Sequence, residues 1–243
     1  MGHPAAHAAF PDDLVVWSAD EENERRITKI DTQRIRDELV AGSDDVLKAR
    51  YSLKAGSETR NITLLDLAIH FSHAELAAEL AAYGVDASHV PDAVASVTTV
   101  DQEEVRGMVG AAVAACRASA DAARRLWAPG PGGATLLDIA ILVGERESAT
   151  ALRDLGAPRS RELLFEDFVR DPTRDARKSP LVAKFHWALR GPAIVAALGV
   201  GCELKGLTAS PNLRFGLKHG VSLLDAAILG GYPKEAAALS KAG

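Results

Sequence analysis

The chain has 243 residues, 47% of them apolar but only 5% aromatic, and a net charge of −5. That charge balance gives no electrostatic case for nucleic acid as a partner. Two cysteines, Cys116 and Cys202, are too few for a disulfide framework, and no apolar run approaches the roughly 20 residues that a membrane span needs. Met1–Phe10 lacks the basic-then-apolar pattern of a secretory signal, so a soluble, cytoplasmic protein is expected. Abundant alanine and leucine, with few β-branched runs, point to an all-α fold packed through small side chains.

Residues 1–30 follow no helical pattern. A short apolar patch, Leu14 to Trp17, precedes an acidic run, Asp20 to Glu24, and reads as an N-terminal cap or arm. Residues 31–243 then read as helical hairpins. The first, Thr32 to Gly56, has Ile35, Leu39 and Val40 on one helix, a turn at Gly42-Ser43, and Val46, Leu47 and Leu53 on a second. Residues 63–88 form the first of three clear copies of one unit. Val100 to Gly130 offers Val105, Met108 and Val109, then Cys116, Ala123 and Leu126. The second copy covers 135–158, and the mixed charges of 159–178 read as an insertion with a solvated face. Leu181 to Gly201 is another weak hairpin, broken at Gly191-Pro192, and the third copy covers 222–243.

The three copies align without gaps. Thr63-Leu64-Leu65-Asp66 is matched by Thr135-Leu136-Leu137-Asp138 and Ser222-Leu223-Leu224-Asp225, and a glycine closes each unit 21 positions after its opening hydroxyl residue. Thr63, Thr135 and Ser222 are expected N-caps, because a hydroxyl can accept from the free amides of a first helical turn. Asp66, Asp138 and Asp225 lie where a capping-box acid belongs and suit the positive helix end. Breaks at Ser72-His73, Gly144-Glu145 and Gly230-Gly231 separate the first helix from the second, and Gly84, Gly156 and Gly243 can close the latter in a left-handed conformation.

This unit resembles the ankyrin repeat. Leu64 stands at that family's proline position and Asp66 at its histidine position, Ser72-His73 at its Gly-His turn, and Gly156-Ala157 at its closing pair. The copies start 72 and 87 residues apart, against about 33 residues per ankyrin unit, so degenerate units would fill the gaps. The resemblance implies a solenoid of about six stacked hairpins. It also implies a protein partner held by the concave face and by the connectors at Gly130–Ala134 and Gly206–Gly220. Late first-helix positions would face that concavity: His70, Phe71, Leu142, Val143 and Leu229.

Catalytic chemistry finds little footing. His70 and His73 have Glu75 nearby but straddle a turn and lack a third ligand, so no metal and no cofactor is expected. Gly199-Val200-Gly201 lacks the third glycine of a dinucleotide fingerprint. Cys116 and Cys202 read as buried small hydrophobes. The expectation is a non-catalytic interaction scaffold. Two alternatives stand beside it. One is an enzyme or small-molecule-binding domain with a site near 161–178, drawing on His186, Arg214 and His219. The other is an effector or immunity-type inhibitor on the same scaffold.

Overall fold

The computed structural model describes residues 14–19, 25–44, 49–55, 58–87, 102–129, 135–159, 190–201, 208–209, 221–229 and 233–242. In chain order these form β1 (Val15–Ala19), β2 (Arg25–Ile30), α1 (Thr32–Ala41), β3 (Tyr51–Ala55), β4 (Glu58–Ile62), α2 (Leu64–His70), α3 (Ala74–Tyr83), α4 (Gln102–Ala118), α5 (Ala120–Leu126), α6 (Leu136–Leu142), α7 (Arg146–Asp154), α8 (Arg190–Gly199), β5 (Thr208–Ala209), β6 (Val221–Ser222), α9 (Leu223–Leu229) and α10 (Pro233–Ala242). The described chain is mostly helical, as its composition dictates. Three antiparallel strand pairs, β1–β2, β3–β4 and β5–β6, are additions to the all-α expectation.

The first two copies fold alike down to individual hydrogen bonds. Thr63 Oγ1 accepts from the Asp66 amide at 3.1 Å, and the Asp66 carboxylate accepts from the Thr63 amide at 2.8 Å. The corresponding distances at Thr135 and Asp138 are 3.2 and 2.9 Å. Both pairs are reciprocal capping boxes, and all four residues are buried. Burial makes this exchange necessary, because an amide left unpaired away from water costs about 1–3 kcal/mol.

The helix ends repeat as well. In α2 the amides of Ser72 and His73 donate to the carbonyls of Ile69 and Ala68, and in α6 those of Gly144 and Glu145 donate to Ile141 and Ala140. This is the Schellman pattern, and it demands a left-handed residue at the first of each pair. Gly144 supplies it at φ +73°, whereas Ser72 adopts φ +59° with a side chain attached. Gly42, Gly84 and Gly156 close α1, α3 and α7 in the same left-handed conformation.

The helices pack in a succession. α1 lies on α3, α3 on α4, α4 on both α6 and α7, α6 and α7 on α8, and α8 on α10. One continuous buried core runs through them from Leu14 to Leu239. Leu14, Val15 and Ile30 bring the β1–β2 hairpin into that core, and Arg36 of α1 holds Glu79 and Glu75 of α3 at 2.8 and 3.3 Å.

α4 is where the packing is closest. A Cβ on Gly107 would lie 2.4 Å from Ser72 Oγ and 2.8 Å from Ser72 Cβ, so only glycine lets α4 approach the α2–α3 turn this nearly. The neighbouring Arg106 points the other way. Its Nε donates to the Val143 carbonyl at 3.1 Å and lies 3.4 Å from the Glu145 carboxylate, at the α6–α7 turn. Residues 106 and 107 thus sit between two equivalent turns. Gly107 follows Ser72 by 35 residues and precedes Gly144, the counterpart of Ser72, by 37.

Several expected details differ. Leu53 lies on strand β3 rather than a second helix, and Val46 and Leu47 lie outside the described residues. α4 runs 17 residues unbroken past both Gly107 and Gly110, so the level at which its neighbours turn falls inside a helix. Gly191-Pro192 lies in the first turn of α8 instead of between two helices, a place where proline's missing amide has no intrahelical role. The insertion beyond Arg159 and the turn at Gly230-Gly231 lie outside the described residues.

Candidate interaction surface

His70 ends α2 and Phe71 caps it, so the tight turn at Ser72 throws both rings onto one edge of the hairpin. Their centroids are 4.9 Å apart at an interplanar angle of 70°, an edge-to-face pair that stiffens both side chains. Each is half-buried, with Phe71 resting against the core. Burial lowers the His70 pKa from its ordinary 6.5, and the nearby Glu104 carboxylate on α4 works in the opposite direction. Burial thus favours the uncharged imidazole, which sits near an exposed acid on α4.

Val143 requires a correction. It is fully buried rather than turned to an open face, its amide closes α6 onto the Ile139 carbonyl, and its own carbonyl receives Arg106. The equivalent Phe71 stays half exposed. Leu142 and Leu229 are the last residues of α6 and α9, and Leu142's side chain lies outside the described residues, as does Leu229's. Ser222 directly precedes α9 and Asp225 lies in its first turn, as in the other copies, but Asp225 is exposed.

A second surface feature carried no sequence signal. An open depression of about 480 Å³ lies between the end of α4 and α7, lined by Arg117, Arg146, Glu147, Thr150, Ala151 and Asp154. Two arginines face two carboxylates there, with no enclosing wall. Arg146 also rests against Gly199 at the end of α8, and Arg153 Nη1 donates to the Gly199 carbonyl at 2.9 Å. These cations suit the negative end of α8.

Cys116 is buried, and burial pushes its thiol up to about 12. A thiol held protonated in this way is a poor nucleophile. Among the described residues no three His, Cys, Asp or Glu side chains gather as a metal site, and no helix is long and apolar enough to cross a membrane. His186, Cys202, Arg214 and His219 lie outside the described residues.

No family model, curated protein or solved structure matches this chain.

Proposed function

We propose that this chain is a non-catalytic scaffold of ankyrin-like helical hairpins that binds another protein along the edge bearing His70 and Phe71. The observation that carries the reading is the contact of Gly107 with Ser72 and of Arg106 with Glu145, which lays α4 between the two equivalent turns, 35 residues after Ser72 and 37 before its counterpart Gly144. Units that stack with their turns aligned expose one continuous rim, and extended rims of this kind are the usual binding surfaces of repeat proteins. Strand pairs leading directly into α1, α2 and α9 fit the same reading, since they stand where an ankyrin-like stack carries its finger loops. Residues 106–107 then belong to a degenerate middle unit whose second helix is the latter part of α4. Phe71 is the anchor, because a half-exposed, preordered aromatic ring loses little freedom on binding.

Capture from native extract on the immobilised full chain, followed by mass spectrometry, tests this. The expected result is one stoichiometric protein whose capture drops at least about tenfold with Phe71→Ala and is unchanged with Val40→Ala on the exposed side of α1. Retention of a small molecule with no protein partner contradicts the reading, as does capture indifferent to Phe71.

A further inference from the structure

We infer that the protein segment docking on the His70–Phe71 edge is basic, with an arginine or lysine whose stem lies on the Phe71 ring and whose cation meets the Glu104 carboxylate. The inference rests on the binding reading above and specifies the chemistry of the partner. The acceptor groups are brought together by the seating of α4. Gly107 presses on Ser72, the residue that follows Phe71. Glu103 and Glu104 lie four and three residues before Gly107, spacings that set them on the same side of α4 as that contact. Both are exposed, and the charge of Glu104 is felt at the His70 imidazole. The aromatic half of the surface is already ordered, since His70 and Phe71 hold each other edge to face at 4.9 Å.

Charge and solvation together select the occupant. The face of an aromatic ring attracts cations, and the carboxylate beside it does the same. An acidic side chain would be repelled here. A purely apolar one would strip water from Glu104 and put nothing in its place. Arginine and lysine satisfy both neighbours, because each carries a charged tip on an apolar stem. The chain's own arginines nearby are engaged elsewhere. Arg106, two residues past Glu104, is turned to the Val143 carbonyl and Glu145, and Arg36 is held by Glu75 and Glu79 where α1 meets α3. Burial favours the uncharged form of His70, so its ring does not oppose an incoming cation. A first-turn acid also suits the positive end of α4. That role acts through space and leaves the carboxylate oxygens to a ligand.

Selection of a phage-displayed random peptide library on the immobilised full chain tests it, with the affinities of the recovered peptides then measured by fluorescence anisotropy. The recovered peptides are expected to share an arginine or lysine beside an apolar residue. Their binding should fall at least about tenfold with Phe71→Ala and with Glu104→Lys, and about two- to fivefold with Glu104→Gln. Asp37→Lys, at an exposed acid on α1, should leave it unchanged. Added sodium chloride should weaken binding to wild type more than to Glu104→Gln. Circular dichroism checks that each variant folds, and Glu104→Gln carries the test if the lysine variant does not. Acidic or uncharged peptides that need Phe71 overturn the inference and leave the binding reading standing. Basic peptides indifferent to both Glu104 substitutions overturn it likewise. Recovery of no peptide, or of peptides indifferent to Phe71, overturns both.

Discussion

The second and third copies carry the same Leu-Leu-Asp core behind a hydroxyl residue, yet they live in different surroundings. Thr135-Leu136-Leu137-Asp138 is sealed beneath α8, and its carboxylate and hydroxyl each accept from the other residue's amide out of contact with water. Ser222-Leu223-Leu224-Asp225 begins a helix of the same length whose acid and isoleucine face outward. The same residues therefore do unequal work. A helical hairpin's sequence specifies its own caps and turn, and its neighbour determines how much stability those features deliver.

Substitutions at matched positions sharpen this difference. Leu137→Ala empties a buried site and should cost about 2–5 kcal/mol, whereas Leu224→Ala, at the partly exposed counterpart, should cost about 1 kcal/mol. Urea unfolding of the two variants checks it, and equal losses break the comparison. Asp138→Ala removes one arm of a buried capping box and leaves the Thr135 amide without its acceptor, an expected loss of about 1–2 kcal/mol. Asp225→Ala should stay within about 0.5 kcal/mol, as exposed positions do.

Smaller effects probe α4 and its rim. A Cβ on Gly110 meets nothing within 4 Å, so Gly110→Ala should raise stability by about 0.5–1 kcal/mol through helix propensity alone. A decrease in melting temperature would mean that a neighbour crowds α4 at that position. His70 gives the pH dependence. Its folded pKa lies below the unfolded value of 6.5, so the unfolded chain takes up the proton first. Its contribution to stability is then full above pH 6.5 and declines as pH falls through that value towards the lower folded pKa. Stability curves at about pH 7.5 and about pH 5.5 should differ less in His70→Leu than in wild type.

The parts of this fold readable in the sequence are those decided locally. Thr63 with Asp66, Thr135 with Asp138, and Gly84 and Gly156 each owe their role to hydrogen bonds within a few residues, and spacing alone exposes them. Leu53 is deceptive, because apolar content alone does not separate a short helix from a strand. The two strands around it are separated in sequence by Gly56-Ser57, a two-residue glycine-bearing spacer that marks a β-hairpin. Gly107 is silent in the sequence for another reason. A glycine in a helical run carries no sign of its neighbour, and here it leaves out a side chain where Ser72 presses against α4. Val143 is out of reach for the same reason that separates the copies. Periodicity identifies an apolar residue at the end of a helix, and only the packing of α4 and α8 decides that it is covered.

Gly107 against Ser72 is the close approach of α4 to the α2–α3 turn, and a double-mutant cycle measures it directly. Gly107→Ala alone should cost about 1–3 kcal/mol, because its new Cβ has to displace Ser72. In a Ser72→Gly background, where the left-handed residue also becomes strain-free, the same substitution should be neutral or slightly stabilising. A coupling of at least about 1 kcal/mol is the predicted result. Additive effects would contradict it, and with it the seating of α4 on the α2–α3 turn on which the stacked reading rests.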